Sequence, residues 1–184
     1  MPITEFASLS LIPPNTLSDP HVIDLFSKVS SWQSSSSGYP LTFFTNPAEP
    51  AEIYLITGWD DVRAHEKWIA SSRNQELLQI AEGFINIIGM VHLDLDFNEF
   101  PVGADSLVCV RTTSQGVTKD GSEEAKLKNV ESMQCGWTGH GRNVEEVGAG
   151  VYYFAESDAH LDSEDGGKED TVYKRIQLKM VKFT

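Results

Sequence analysis

Two of this chain's five histidines stand where an imidazole could exchange a proton with a bound molecule. The first lies in "YLITGWDDVRAHEKWIASSRNQELLQ", residues 54–79. His65 follows Val62 by three residues and precedes Trp68 by three and Ile69 by four, which puts all four on one helical stripe. His65 therefore points inward or to the edge of the inward face. Two roles fit such a residue. One is a buried neutral imidazole hydrogen-bonded to a carbonyl. The other is an acid/base group in a cavity between helix and sheet, since imidazole titrates near neutrality.

The second is His92, in "HLDLDF", where His92, Asp94 and Asp96 alternate and so share one strand face. A histidine with two carboxylates is a donor set for a divalent cation. An EF-hand beginning at Asp94 fails, because Glu99 stands where the loop needs Gly and Asp105 where it needs Glu. Alternating polar residues ordinarily mark a solvated strand face, so no metal is expected. His92, beside the same cavity, is the part retained. Trp59 sits at the strand–helix junction, where it can roof a pocket. Trp68, Trp32, Phe43, Phe44 and Tyr54 can add an aromatic lining for a planar apolar ligand. Each of these alone is ordinary core.

"CGWTGHGRN" offers Cys135, Trp137, His140 and Arg142, from which a Cys–His nucleophile pair could be built. His140 stands among glycines, and a turn is expected there. His160, in an acidic run, reads as surface. Cys109 and Cys135 form neither a disulfide framework nor a C-x-x-C pair. There is no Gly-x-Ser-x-Gly, Walker loop or Gly-x-Gly-x-x-Gly, hence no support for serine hydrolysis or a nucleotide cofactor.

The elements that must position these residues follow from periodicity. Residues 4–12 alternate as a strand, ended by "PPN". Ser18 or Asp19 can cap a helix with Pro20 in its first turn and Val22, Leu25, Phe26 and Val29 at helical spacing. "SSSSG" is expected to end it. "LTFFT" is a strand, "NPAEPAE" a turn and "IYLITGW" an apolar strand. Asp60 can cap the next helix, which breaks near residue 71, and Ser72 with Gln75 fits a capping box. Leu77, Ile80, Ala81 and Phe84 form the following stripe, with Gly83 near its end. "IIGMVHLDLDF" is a strand with Val91, Leu93, Leu95 and Phe97 on one face.

The order through residue 97 is thus β-α-β-β-α-β, the ferredoxin-like plan, with helices on one sheet face. The second half reads as a worn copy. "VGAGVYYFAESDAH" (147–160) can be laid on "AEIYLITGWDDVRAH" (51–65). "SLVCVRT" would be its first strand, "SEEAKLKNVESM" a helix, and "MQCGWTG" and "TVYKRIQLKMVKF" strands. "SDAHLDSEDGGKED" reads as a loop or one short turn. The expectation is an α+β chain of two fused halves, residues 1–100 and 101–184, whose open sheet faces pack on each other.

Asp and Glu number 27 against 14 Lys and Arg in 184 residues, a net charge of −13. Such a surface disfavours nucleic acid and anionic membrane. Hydrophobic residues are 40%, enough for a folded core. No stretch reaches the roughly 18 apolar residues of a membrane span. "MPITEFASLSLIPP" has no basic region before its apolar residues and carries Glu5, so it reads as a strand and not a signal peptide. A soluble cytoplasmic protein is the expectation.

At "EFASLSL", "IYLITGWDDVRAHEKWIASSRNQELL" and "MVHLDLDF" the chain resembles the antibiotic-biosynthesis-monooxygenase-like proteins of the dimeric α+β barrel superfamily. The fungal type is the nearest likeness, with its Gly-Trp-Asp, helical His and later His-Leu-Asp. The likeness covers about residues 4–98. It implies a barrel built from two ferredoxin-like units. It also implies an enzyme of secondary metabolism acting on an aromatic or polyketide-like intermediate, without metal or nucleotide. The reaction would be cofactor-free oxygenation, or a cyclisation, rearrangement or decarboxylation driven by proton transfer. His65 would be the acid/base group with His92 in second rank. Trp59, Trp68, Tyr54 and Phe43 would line the pocket, and Asn74 is placed to reach it. The heme-degrading type carries an Asn on its first strand; here Phe6, Ser8 and Ser10 stand instead, so no heme is expected. Implied partners are a small hydrophobic substrate and a possible homodimer. The rival from another class is a non-catalytic small-molecule-binding or stress-response barrel in which His65 only packs.

Overall fold

Alternating side chains in "ITEFASLSL" make β1 (Ile3–Leu11), with Ala7, Leu9 and Leu11 on the face that meets the helices and Phe6 on the other. The structure, a computed structural model, describes residues 1–112, 136–146, 150–156 and 173–183. The helix expected at 122–133, Cys135, and the acidic segment 157–170 with His160 lie outside them.

α1 (Pro20–Ser37) buries Val22, Leu25, Phe26 and Gln33. It runs through the serines expected to end it, because its stop is Gly38, at φ 80°, whose N–H donates to the Ser34 carbonyl. β2 (Leu41–Asn46) and β3 (Glu49–Trp59) form a hairpin. Its turn is confined to Pro47 and Ala48, so β3 begins earlier than the apolar run suggested. α2 (Val62–Ile69) is capped by Asp61, whose carboxylate accepts from the Ala64 N–H at 2.8 Å. Asp60, the expected cap, instead accepts from the Tyr39 hydroxyl at 3.0 Å. The break near 71 is present, but Ser71, not Ser72, caps α3 (Ser72–Ala81) by accepting from the Asn74 N–H. β4 (Ile85–Leu93) ends before Leu95; Phe97 falls in a 3-10 turn, Phe97–Glu99.

Beyond it come β5 (Ser106–Thr112), β6 (Thr138–Arg142), β7 (Val151–Glu156) and β8 (Tyr173–Met180). All eight strands form one antiparallel sheet in the order β4-β1-β3-β2-β8-β5-β7-β6. Numbered within each run of four strands, the order 4-1-3-2 occurs twice. The two runs face each other across an enclosed core, Phe6 of β1 meeting Tyr152 and Phe154 of β7. They join edge to edge, Phe44 opposite Met180 and Thr45 opposite Lys179.

The sheet then curls until its outer strands meet. The Asp94 N–H donates to the Arg142 carbonyl, the Val144 N–H donates to the His92 carbonyl, and Leu93 bridges Asn143. "TGHGR" is a strand and not a turn, paired with β7 from Thr138 opposite Ala155 to Arg142 opposite Val151. A Cβ at Gly141 would lie 3.0 Å from both the Leu93 Cβ and the Leu95 backbone nitrogen, and one at Gly139 would meet the Trp137 ring. These glycines admit close approach of a neighbouring strand.

Curling buries the second sheet face as a lumen holding Phe6, Phe44, Tyr54, Ile56, Cys109 and Phe154. One end is plugged by Tyr39, Phe97, Phe100 and Trp137, whose rings contact in sequence at 5.3–5.8 Å. The opposite sheet face packs under α1, with Phe26, Phe43 and Phe183 in mutual ring contact. No described helix is long and apolar enough to cross a membrane.

Gly58 seats the plug. A Cβ there would fall 2.6 Å from the Phe97 Cγ and 2.8 Å from the Tyr39 Cγ, whereas one at Gly103 would meet nothing within 4 Å. Gly58→Ala is expected to cost about 1–3 kcal/mol through overpacking, and Gly103→Ala less than about 0.5 kcal/mol. Urea unfolding midpoints of the two variants check this.

Candidate functional site

A carboxylate on the apolar side of a strand needs partners. Glu5 is on β1, directly opposite Thr57 on β3 and His92 on β4, and its side chain points into the helix layer. It is 3% exposed. Gln33 of α1 donates to its Oε2 at 2.9 Å, and the Trp59 indole N–H donates to the same oxygen at 2.6 Å. The His65 Nε2 lies 3.5 Å away.

His65 reaches this carboxyl because the Asp61 cap starts α2 directly after β3 and turns Val62, His65 and Trp68 along one side. Its ring stacks on Trp59 at 4.5 Å between centroids. Its Nδ1 meets the His92 Nε2 at 2.7 Å, and the His92 Nδ1 meets the Glu145 carboxylate at 2.5 Å. His65 and His92 are 3% and 2% exposed, while the Glu145 side chain is 48% exposed. A line of polar atoms thus runs from a buried carboxyl, across a 3.5 Å contact, through two hydrogen-bonded imidazoles to a carboxylate in solvent.

Burial decides the charges. Taking a carboxylate out of water costs several kcal/mol; two donated hydrogen bonds to a charged acceptor return about 1.5–3 kcal/mol each. Glu5 is pushed up to about 7, by burial first and against the donors Trp59 and Gln33. His65 is pushed down to about 4, by burial first and then by His92. The arrangement these shifts favour is a neutral Glu5 facing a neutral His65. One set of tautomers satisfies both short contacts: His65 Nδ1–H donates to the His92 Nε2, and His92 Nδ1–H donates to Glu145. The His65 Nε2 then carries a lone pair, 3.5 Å from the Glu5 carboxyl. Both donors point one way, so a proton arriving at the His65 Nε2 can be matched by one arriving at Glu145.

Of the residues singled out from sequence, the structure brings together His65, His92, Trp59 and Trp68; Trp68 packs with Trp59 and Leu77. Tyr54 lies on the other side of the sheet, in the lumen, stacked on Phe6. Phe43 lies beneath α1. Asn74 binds the Ile69 carbonyl at 3.1 Å and holds the α2–α3 junction. Asp94 and Asp96 are occupied by backbone N–H groups of Arg142 and Asn98. Among the described residues no group of three or more His, Cys, Asp or Glu could hold a metal ion. His140 lies on β6 against Tyr153.

Sequence reasoning missed Glu5, Gln33 and Glu145. Glu5 carried a signal, a charge in phase with Ala7, Leu9 and Leu11. So did Gln33, in phase with Phe26 and Val29 on the helix. Glu145 carried none, since its contact with His92 spans 53 residues and depends on barrel closure.

An antiparallel sheet curled into a barrel, with helices outside and a histidine-bearing helix against β3, defines an α+β barrel protein. Solved structures share this fold. The putative monooxygenase of Fusobacterium nucleatum matches with a TM-score of 0.64 and 11% identity over 98% of this chain and 93% of that one. A putative chlorite dismutase matches at 0.63 and 9% over 100% and 96%. An anthrone oxidase-like protein matches at 0.55 and 13% over 98% and 92%. No protein-family model and no curated protein sequence matches the chain.

The opposed shifts of Glu5 and His65 have a thermodynamic consequence. Glu5, raised from 4.5, favours folding fully below that value and loses its contribution as pH rises through about 7. His65, lowered from 6.5, contributes fully above that value and loses its contribution as pH falls through about 4. Between them the folded pair keeps one proton on Glu5 and the unfolded pair keeps one on His65, so the slopes cancel. His65→Gln is expected to lose stability relative to wild type as pH rises from 4.5 to about 7, by up to about 3 kcal/mol. Glu5→Gln is expected to do the reverse. Urea unfolding across that range decides it; slopes parallel to wild type in both variants would contradict the charge assignment.

Proposed function

We propose that the chain is a cofactor-free, oxygenase-like enzyme of secondary metabolism that acts on a planar aromatic or polyketide-like intermediate by proton transfer at the helix–sheet layer. The observation that carries this is the hydrogen-bonded line His65–His92–Glu145, with the buried Glu5 carboxyl 3.5 Å from the other ring nitrogen of His65. His65 alone, held down to about 4, is a weak base at neutral pH. Its coupling through His92 to an exposed carboxylate supplies a destination for an abstracted proton. The enolate or phenolate so formed could meet dioxygen directly, cyclise or rearrange; a decarboxylation would instead form the enolate by loss of carbon dioxide and then take up the proton. Trp59 and Trp68 would bound the substrate, with Asn74 at the α2–α3 junction. Phe43 lies on the same sheet face, beneath α1, whereas Tyr54 faces the lumen and does not reach this layer. The fold shared with an anthrone oxidase-like protein and with putative monooxygenases supports the oxygenase side of the reading.

The reading includes descent from the fungal antibiotic-biosynthesis-monooxygenase-like type and two fused ferredoxin-like halves, residues 1–100 and 101–184. The repeated 4-1-3-2 strand order supports the latter. It also includes a cytoplasmic protein and a homodimer, for which Ile87, Ile88 and Met90 on β4 leave apolar surface exposed.

One observation favours a second reading, a non-catalytic small-molecule-binding barrel. His65 is sealed, and no buried side-chain polar atom lacks a partner among the described residues. Oxygen uptake and product formation with planar phenolic and anthrone-type compounds, without added metal, separate the two. Turnover that falls at least about 100-fold in a folded His65→Gln variant is the expected result. Full turnover in that variant removes His65 from the reaction, and no turnover in the wild-type protein leaves the binding reading.

A further inference from the structure

The lumen, on the far side of the sheet from the polar line, ends in a cavity of about 390 Å³ at the end away from the aromatic plug. That size falls within the range of small-molecule sites. Its deep wall is apolar and aromatic: Phe6, Tyr54, Tyr152, Cys109 and Ile176. Phe6 stacks on Tyr54 at 5.6 Å and meets Tyr152 edge-on at 5.9 Å, so the three rings form one aromatic wall on which a flat ring can lie. The Cys109 thiol is pushed up to about 12 by burial, so it is wall and not nucleophile.

The mouth differs from the wall. Arg111 on β5 and Lys174 on β8 are directly opposite each other in the sheet and both line the cavity. Like charges so placed repel. Among the described residues neither forms an ion pair. The Arg111 guanidinium lies over the Tyr152 ring at 5.4 Å. Stacking uses the guanidinium face and leaves its N–H fork free for a carboxylate. Glu52, the carboxylate lining the same cavity, accepts from the Tyr54 hydroxyl at 2.6 Å and from Asn46 at 3.5 Å. It adds an acceptor for a ligand hydroxyl. Glu49 on the same strand and Glu146 after β6 add negative field near Tyr54 and Tyr152 without lining the cavity.

We propose that the barrel lumen is a binding site for a planar aromatic acid, its ring against the wall of Phe6, Tyr54 and Tyr152, its anionic group on Arg111 and Lys174, and a ring hydroxyl toward Glu52. An anion there relieves the Arg111–Lys174 repulsion, and the aromatic wall favours an anion that carries a ring over an inorganic one. The site stands independently of the chemistry assigned to the helix layer, from which the sheet separates it.

The test is fluorescence or calorimetric titration of the full chain with 1-hydroxy-2-naphthoate, and with 1-naphthol as the neutral analogue. The acid is expected to bind at least about tenfold more tightly than the alcohol, and Arg111→Gln and Lys174→Gln each to remove about tenfold of the acid's affinity while leaving the alcohol's unchanged. Both side chains are exposed, so the variants should fold. His65→Gln is expected to leave binding of the acid unaltered, which keeps this outcome separate from any loss of turnover. Equal affinities for acid and alcohol, no binding of either, or acid binding indifferent to both cation variants would each overturn the proposal.

Discussion

A carboxyl group sealed between a sheet and its helices must find donors or give up its charge, and Glu5 does both. Its partners come from every element around it: Gln33 from α1, Trp59 from the end of β3 and His65 from α2. His92 then extends the line to Glu145, which follows the strand that closes the barrel. Register, helix placement and closure therefore meet in one set of contacts. A slip of β1 by one residue would turn Glu5 into the lumen and away from His92 and His65. The cost of leaving a buried polar group unpaired, about 1–3 kcal/mol, is large beside the stability of a domain. The polar line thus specifies the arrangement of these elements.

The two faces of the sheet divide the labour. The face under the helices carries the titratable line and tightly packed indoles. The lumen face carries an aromatic plug at one end and an open, cation-rimmed cavity at the other. One curled sheet supplies both environments because alternate residues of each strand serve opposite sides: Glu5 and Phe6 on β1, His92 and Leu93 on β4.

Much of the first half was legible in the sequence, because its elements are short-range and periodic. The strand of residues 3–11, the α2–α3 break and the inward aim of His65 follow from local spacing. The caps were off by one residue, Asp61 for Asp60 and Ser71 for Ser72, since neighbouring polar residues offer the same oxygen to the same amides. Closure was not legible. "TGHGR" looks like a turn until Leu93, Leu95 and Trp137 are seen to fill the space a Cβ would take. In the site, the imidazoles were readable but their partners were less so. Glu5 and Gln33 appear as polar residues on apolar faces, while Glu145 joins His92 only through the tertiary fold.

The central claim is that Glu5 and His65 are both neutral in the folded chain and joined through Nδ1–H of His65 to His92. Carboxyl ¹³C and imidazole ¹⁵N chemical shifts, recorded between pH 4.5 and about 7, read this directly. A protonated Glu5 carboxyl with a singly protonated His65 imidazole bearing its hydrogen on Nδ1 is the result expected. An ionised Glu5 facing a doubly protonated His65 would contradict it.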